Sequence, residues 1–153
     1  MSVYKTLETL GITLPDVATP AAAYVMSAQT GNTVHLAGHI ARREDGKAWV
    51  GKLGKELDTA AGKEAARGIA IALLATLHQH TGDLNKVKRI VKVVSLINST
   101  QEFTEHHLVT NGCSKLLVEV FGEAGKHARS AFGVAQIPFG ACVEIELIAE
   151  VSA

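Results

Sequence analysis

A run close to the C-terminus alternates strictly between apolar and other side chains. Its apolar members occupy every second position: Val143, Ile145, Leu147, Ala149 and Val151. Successive residues of a β-strand point to opposite faces, so this pattern predicts a strand with one buried face and a second face that carries Glu144 and Glu146. Such a strand needs other strands beside it and an apolar layer to cover it. The rest of the chain must therefore supply both.

Two segments have the periodicity of helices that can form this layer. In residues 58–80 an apolar residue recurs every four positions, Asp58 or Thr59 can cap the start of a helix, and Gly82 can end it. A second helix is expected within residues 101–125, opened or interrupted at Asn111-Gly112. Strands are expected on both sides of a turn at residues 30–32, in residues 85–99, and twice after residue 127. The resulting order, β-β-α-β-α-β-β, predicts an α+β fold with a mixed sheet and both helices on one face.

Composition limits the class of protein. The 153 residues are expected to form a single domain over residues 1–153, and the fifteen basic side chains balance the fifteen acidic ones. A neutral chain has no global attraction for nucleic acid or anionic membrane, so we expect neither as a partner. The N-terminus has no signal-peptide pattern and the longest apolar run is too short to cross a bilayer, so a cytoplasmic location is expected. The isolated Cys113 and Cys142 are expected to be reduced and buried.

Common cofactor motifs are absent. Residues 46–52 match the start of a phosphate-binding loop, but Leu53 stands where Ser or Thr should bind Mg²⁺. The seven histidines show no metal-ligand spacing, and no dinucleotide fingerprint or nucleophile elbow is present. We therefore expect no metal and no organic cofactor.

The last two predicted strands carry the candidate site. A short turn separates them, so we expect them to pair as a hairpin that brings Arg129 close to Glu144. Arg129 shares its expected face with only Ala131 and Gly133, which leaves space beside the guanidinium. An arginine in a recess can bind a carboxylate or phosphate through two parallel hydrogen bonds, and a nearby glutamate can orient a water. From the pattern alone, an Arg129–Glu144 ion pair on an ordinary sheet face is the simpler alternative.

Three stretches of the sequence resemble a known family. They are HARSAFGV followed by IPFGACVEIELIAEV, the earlier TPAAAYVMSAQTGNTVHLAGHIA, and GDLNKVKRIVKVVSLINS. Their order over most of the chain is similar to that of the RidA/YjgF family of enamine and imine deaminases, also labelled endoribonuclease L-PSP. The resemblance implies a chorismate-mutase-like fold and a homotrimer with ligand clefts between subunits. It also implies a small carboxylate-bearing metabolite as ligand.

The resemblance assigns roles to five positions. It implies that Arg129 binds the substrate carboxylate, that Glu144 handles the catalytic water, and that Tyr24 and, less directly, Asn111 line the cleft. Ala131 stands where deaminases of the family usually carry a cysteine, and its backbone N–H is the group expected to face the substrate. The implied activity is hydrolysis of small 2-imino or enamino acids to 2-keto acids and ammonia. The alternatives are a binding protein without catalysis and an endoribonuclease or translation inhibitor.

Overall fold

The computed structural model describes residues 1–20 and 22–153. In chain order its longer elements are α1 (Val3–Thr9), β1 (Ser27–Thr30), β2 (Thr33–Ile40), α2 (Thr59–Thr81), β3 (Val87–Asn98), α3 (His106–Phe121), β4 (Ala128–Val134) and β5 (Val143–Val151). The five strands form one mixed sheet in the order β1-β2-β5-β3-β4. The core forms where α2 and α3 pack against one face of this sheet, so the predicted α+β class and element order are confirmed.

The ends of α2 follow the predicted capping chemistry. The Asp58 side chain accepts a hydrogen bond from the Ala61 N–H at 2.9 Å, which satisfies one free donor of the first turn. At the other end Gly82 adopts φ 73°, a left-handed conformation that glycine reaches without strain. The 23-residue helix between them has buried alanines and leucines, so it lies close to the sheet.

The expected interruption of α3 at Asn111-Gly112 was wrong, because the helix runs through both residues. A Cβ on Gly112 would collide with the backbone carbonyl of Lys63 in α2. The glycine therefore lets two helix backbones approach each other, a tertiary contact that outweighs its weak helix propensity.

The expected hairpin between β4 and β5 was also wrong. β5 pairs with β2 on one side and with β3 on the other, both antiparallel, whereas β4 lies outside β3 and runs parallel to it. A strand is therefore inserted between the two that are neighbours in sequence. The side chains of β4 also point to the opposite sides of the sheet from those expected. The alternation of this strand predicts that Ser130, Phe132 and Val134 face the core, but Phe132 is 47% exposed and Ala131 packs against the core instead.

Among the residues that the structure describes, no helix covers the face of the sheet opposite α2 and α3. It carries Glu144, Glu146 and Glu150 of β5 together with apolar side chains of neighbouring strands. We call this surface the open face. In the part of the chain that the structure describes, no helix is long and apolar enough to span a membrane.

Candidate active site

Arg129 projects from β4 toward α3, on the helix side of the sheet. Its Nη1 donates to the Asn111 Oδ1 at 2.8 Å and to the Ser114 Oγ at 3.2 Å, and its Nη2 donates to the His107 carbonyl at 3.2 Å. All three acceptors are uncharged. The ion pairs among the described residues join only Lys5 to Glu8 and Lys126 to Glu123, so the guanidinium is oriented without being neutralised. An arginine in this state is ready to receive an anion.

His127 supports Arg129 indirectly, through a hydrogen bond with Ser114. The Nδ1 of His127 lies 2.6 Å from the Gly125 carbonyl, which can only accept, so this nitrogen carries the proton. The unprotonated Nε2 then accepts from the Ser114 hydroxyl at 2.9 Å, and the Ser114 oxygen accepts from Arg129. Burial and, to a smaller extent, the charge of Arg129 lower the pKa of His127 and favour this neutral state.

The structure brings Arg129, Asn111 and Ala131 together. Ala131 lies two positions after Arg129 on the same strand, so both point to the helix side, where Ala131 is half-buried. It pairs in register with Ser95, whose buried hydroxyl accepts from Thr110 of α3 at 3.0 Å. The Ala131 methyl group therefore lies beside the hydrogen-bonded Ser95 and Thr110, and its small size leaves room next to the Arg129 guanidinium.

Glu144 lies on the open face, between Ile40 of β2 and Leu96 of β3. It is half-buried, and burial is the main reason that the pKa of this carboxyl is raised, with a further contribution from Glu146. Its carboxylate occupies the space that a Cβ on Gly38 would fill, so the glycine in β2 makes room for it. Among the described residues Glu144 has no basic partner, and its surroundings favour the protonated form more than water does.

One chain does not place Glu144 or Tyr24 beside Arg129. Glu144 points away from the face that Arg129 occupies, which also excludes the ion pair between them. Tyr24 is 48% exposed and precedes β1, at the edge of the sheet opposite to β4. Four strand spacings, about 19 Å, separate those two edges. In a single protomer Arg129, Asn111 and Ala131 therefore lie together, and Glu144 and Tyr24 lie away from them.

The two cysteines do not supply a reactive thiol to this site. Both are free and buried, and burial raises the pKa of the Cys113 thiol to about 12 and that of Cys142 to about 11. Neither forms a reactive thiolate near neutral pH. Across residues 1–20 and 22–153, no group of three or more histidine, cysteine or acidic side chains is placed to hold a metal ion.

Sequence reasoning missed Ser114 and His127. A signal for Ser114 was present, since the three residues of α3 that contact Arg129 are His107, Asn111 and Ser114. Their spacing of i, i+4 and i+7 puts them on one face of a helix. For His127 the sequence offered no comparable signal, because its role depends on how β4 meets the end of α3.

The chain is similar to known proteins over nearly its whole length. Residues 5–151 match the family model described as "YjgF/chorismate mutase-like, putative endoribonuclease". Protein TCP17 of Trypanosoma cruzi is 42% identical over 151 residues, which cover 98% of this chain and 94% of that protein.

Two solved structures are similar over nearly the whole chain. A crystal structure of a protein from Agrobacterium tumefaciens is 38% identical, with a TM-score of 0.90 over 99% of this chain and 94% of that one. Another, from Shewanella oneidensis MR-1 and described as a "putative endoribonuclease", is 29% identical, with a TM-score of 0.94 over 99% of this chain and 100% of that one. With the family model matching nearly every residue, the chain belongs to the YjgF/RidA family.

Proposed function

We propose that this protein hydrolyses small 2-imino acids, and enamino acids after their tautomerisation, to 2-keto acids and ammonia. The observation that carries the proposal is the state of Arg129, a half-buried guanidinium held by three neutral oxygens and joined to no carboxylate. Its remaining N–H donors suit a substrate carboxylate. Family membership supports a small-molecule ligand of this type.

Arg129 acts by orientation. A carboxylate bound through two parallel hydrogen bonds fixes the adjacent C=N group in direction as well as position. Asn111, Ser114 and the His107 carbonyl hold the guanidinium plane, so little freedom is lost when the substrate binds. Ala131 lines the same side of β4, and in this proposal its backbone N–H orients the reacting group.

Glu144 handles the water. Its carboxylate takes a proton from water as the oxygen attacks the imine carbon, and it returns a proton to the nitrogen. In the collapse of the carbinolamine, Glu144 takes the hydroxyl proton and passes it to the nitrogen, the C–N bond breaks as the C=O bond forms, and ammonia leaves with the keto acid as the second product. No electrons are transferred, so the reaction requires no redox cofactor. The raised pKa of Glu144 brings its two protonation states closer in energy near neutral pH, which suits a group that both accepts and donates.

A site that uses both residues requires a second copy of the chain. The open face of one protomer presents Glu144, and the β4 edge of another would present Arg129. A closed ring of three copies, with Tyr24 contributed across each boundary, satisfies this requirement and provides a cover for Phe132, Leu96 and their apolar neighbours. We therefore propose a homotrimer with three equivalent clefts.

Two other functions compete with this one. A binding protein would use the same Arg129 site to hold a small carboxylate without turnover. An endoribonuclease, the activity in the family description, would instead bind RNA through its phosphates and lose affinity steeply with salt. The formal net charge of zero gives no general attraction for RNA.

One experiment separates the three. An amino-acid oxidase generates imines from neutral amino acids, and their conversion to keto acid is followed with wild-type protein, Arg129→Ala and Arg67→Ala, an exposed arginine of α2 that serves as control. We expect the Arg129→Ala variant to stay folded and lose at least about 100-fold in rate, with Arg67→Ala unchanged. Equal activity of Arg129→Ala and wild type contradicts the mechanism. Keto-acid binding without turnover supports the binding protein, and salt-sensitive RNA cleavage supports the endoribonuclease.

A further inference from the structure

Lys52, like Arg129, is a cation held by neutral oxygens and joined to no carboxylate. It belongs to residues 41–57, which run along the end of the sheet between β2 and α2. Its Nζ donates to the Asn98 Oδ1 at 2.6 Å and to the Ala135 carbonyl at 2.8 Å. An ammonium has three N–H donors, so one remains available. Within residues 1–20 and 22–153, no acidic side chain lies in ion-pair distance of this nitrogen.

The acceptor that holds Lys52 is itself fixed. Asn98 ends β3 and is 1% exposed. Its Nδ2 donates to the Gln136 Oε1 at 2.7 Å and to the Ala141 carbonyl at 3.3 Å, which leaves Oδ1 directed at Lys52. Every polar atom of this amide has a partner, so the ammonium is held in one place by an ordered network. The arrangement repeats that of Arg129: a cation positioned by neutral oxygens and not neutralised.

Lys52 lies on the side of the sheet that carries Glu144. Its neighbour Leu53 is fully buried next to Gly62 of α2, whereas Lys52 reaches the side chain of Asn98, which alternation along β3 puts on the same side as Leu96. Asn98 follows Leu96 by two residues on β3, and Leu96 is the register partner of Glu144. Two residues of a strand span about 7 Å. The residue that holds Lys52 is thus about 7 Å along β3 from the register partner of Glu144. A substrate side chain of two or three carbons can cover this distance.

We propose that Lys52 is a specificity-determining residue that binds a second acidic group, so that the preferred substrates are imino acids with a carboxylate in the side chain. This inference rests on the proposed function of the Arg129 and Glu144 site. Arg129 binds the carboxylate next to the C=N carbon, Glu144 serves the reaction at that carbon, and Lys52 binds the distal carboxylate. A substrate with one carboxylate leaves the Lys52 ammonium without an anion.

A purely structural role makes a different prediction. If Lys52 only fastens residues 41–57 to the end of β3, its loss lowers stability and affects all ligands alike. A binding role affects only ligands that carry the second acidic group. Lys55, three residues later in the same segment and exposed, provides a matched control of equal charge.

The test measures binding of 2-oxobutyrate and 2-oxoglutarate by calorimetry, and turnover of imines made from 2-aminobutyrate and glutamate. Wild type is expected to bind 2-oxoglutarate more tightly. Lys52→Met should weaken that binding about tenfold or more and change 2-oxobutyrate by less than about twofold. Lys52→Arg should keep most of the preference, and Lys55→Met should match wild type. Melting temperatures identify a folding defect, in which case Lys52→Gln replaces Lys52→Met.

Three outcomes overturn the proposal: wild type prefers 2-oxobutyrate or binds neither acid, Lys52→Met weakens both acids equally, or it weakens neither. Preferential binding of 2-oxoglutarate that depends on Lys52, without hydrolysis of any imine, supports the assignment of Lys52 and contradicts the deaminase function. The two claims therefore fail separately.

Discussion

Arg129 and Glu144 project from opposite faces of one sheet, with β3 between their strands. Arg129 is in register with Val93, whose side chain lies in the core, and Glu144 is in register with Leu96 on the open face. No side-chain rotation brings the guanidinium and the carboxylate to one substrate within a protomer. If both act on the same molecule, they must come from two copies.

Mixing two inactive variants tests this relationship. Arg129→Ala and Glu144→Gln should each be inactive alone, but when they are unfolded and refolded together, mixed oligomers contain some clefts with both native residues. Random assembly gives such a cleft in about a quarter of cases, so about a quarter of wild-type activity should return. No recovery in oligomers that contain both variants would show that the residues do not share a cleft between copies. Refolding of each variant alone is the control.

The raised pKa of Glu144 predicts a specific pH dependence. The rate should fall at low pH with a midpoint above 4.5, the ordinary value, because the folded state retains the proton to higher pH. Glu144→Gln should lose this limb together with roughly 100-fold or more of the rate. The same shift affects stability: between pH 4.5 and the folded pKa the native state binds more protons, so its stability falls as pH rises. Glu144→Gln should remove that slope in urea unfolding, and an unchanged slope would contradict the assignment.

Two helix glycines should respond to alanine with opposite signs. Gly112→Ala places a Cβ against the Lys63 carbonyl and should lower the free energy of unfolding by roughly 1–3 kcal/mol. Gly68 of α2 has no atom within 4 Å of an added Cβ, so Gly68→Ala should stabilise by roughly 0.5–1 kcal/mol. Urea denaturation measures both. Two effects of the same sign would contradict the close approach of α2 and α3.

His127 should be neutral at pH 7 with its proton on Nδ1. Nitrogen chemical shifts in a labelled sample report the tautomer, and we expect Nε2 to titrate below 6.5 because burial lowers the pKa. A lowered histidine pKa contributes stability that is fully present above pH 6.5 and is lost as pH falls through the folded pKa. His127→Asn should therefore show a smaller loss of stability on acidification. A proton on Nε2 at pH 7 would contradict the chain of hydrogen bonds to Arg129.

Much of the fold follows from local patterns. The alternation in β5, the four-residue period of α2 and the cap at Asp58 are all properties of neighbouring residues, and the structure confirms each. The bounds of β3 were also close to those expected, although its register shifts next to Lys88 and Val91. Alternation puts Val91 on the same face as Val87 and Val93 and so predicts that it is buried, yet it is 39% exposed. An extra residue inserted in a strand changes the side of the sheet to which the residues after it point. Alternation in the sequence alone does not reveal where such an insertion occurs.

The sequence by itself determined the candidate residues of the site, because Arg129 and Glu144 match positions of a family pattern. It also determined which elements carry them. Only the tertiary structure decided that β3 lies between the strands of these two residues, where a hairpin was expected, and that Ser114 and His127 orient the guanidinium. The physical reason is that a strand pattern specifies two faces but not the neighbouring strand. Neighbours are selected by the packing of the whole sheet against α2 and α3, and this packing sends Arg129 to one face and Glu144 to the other.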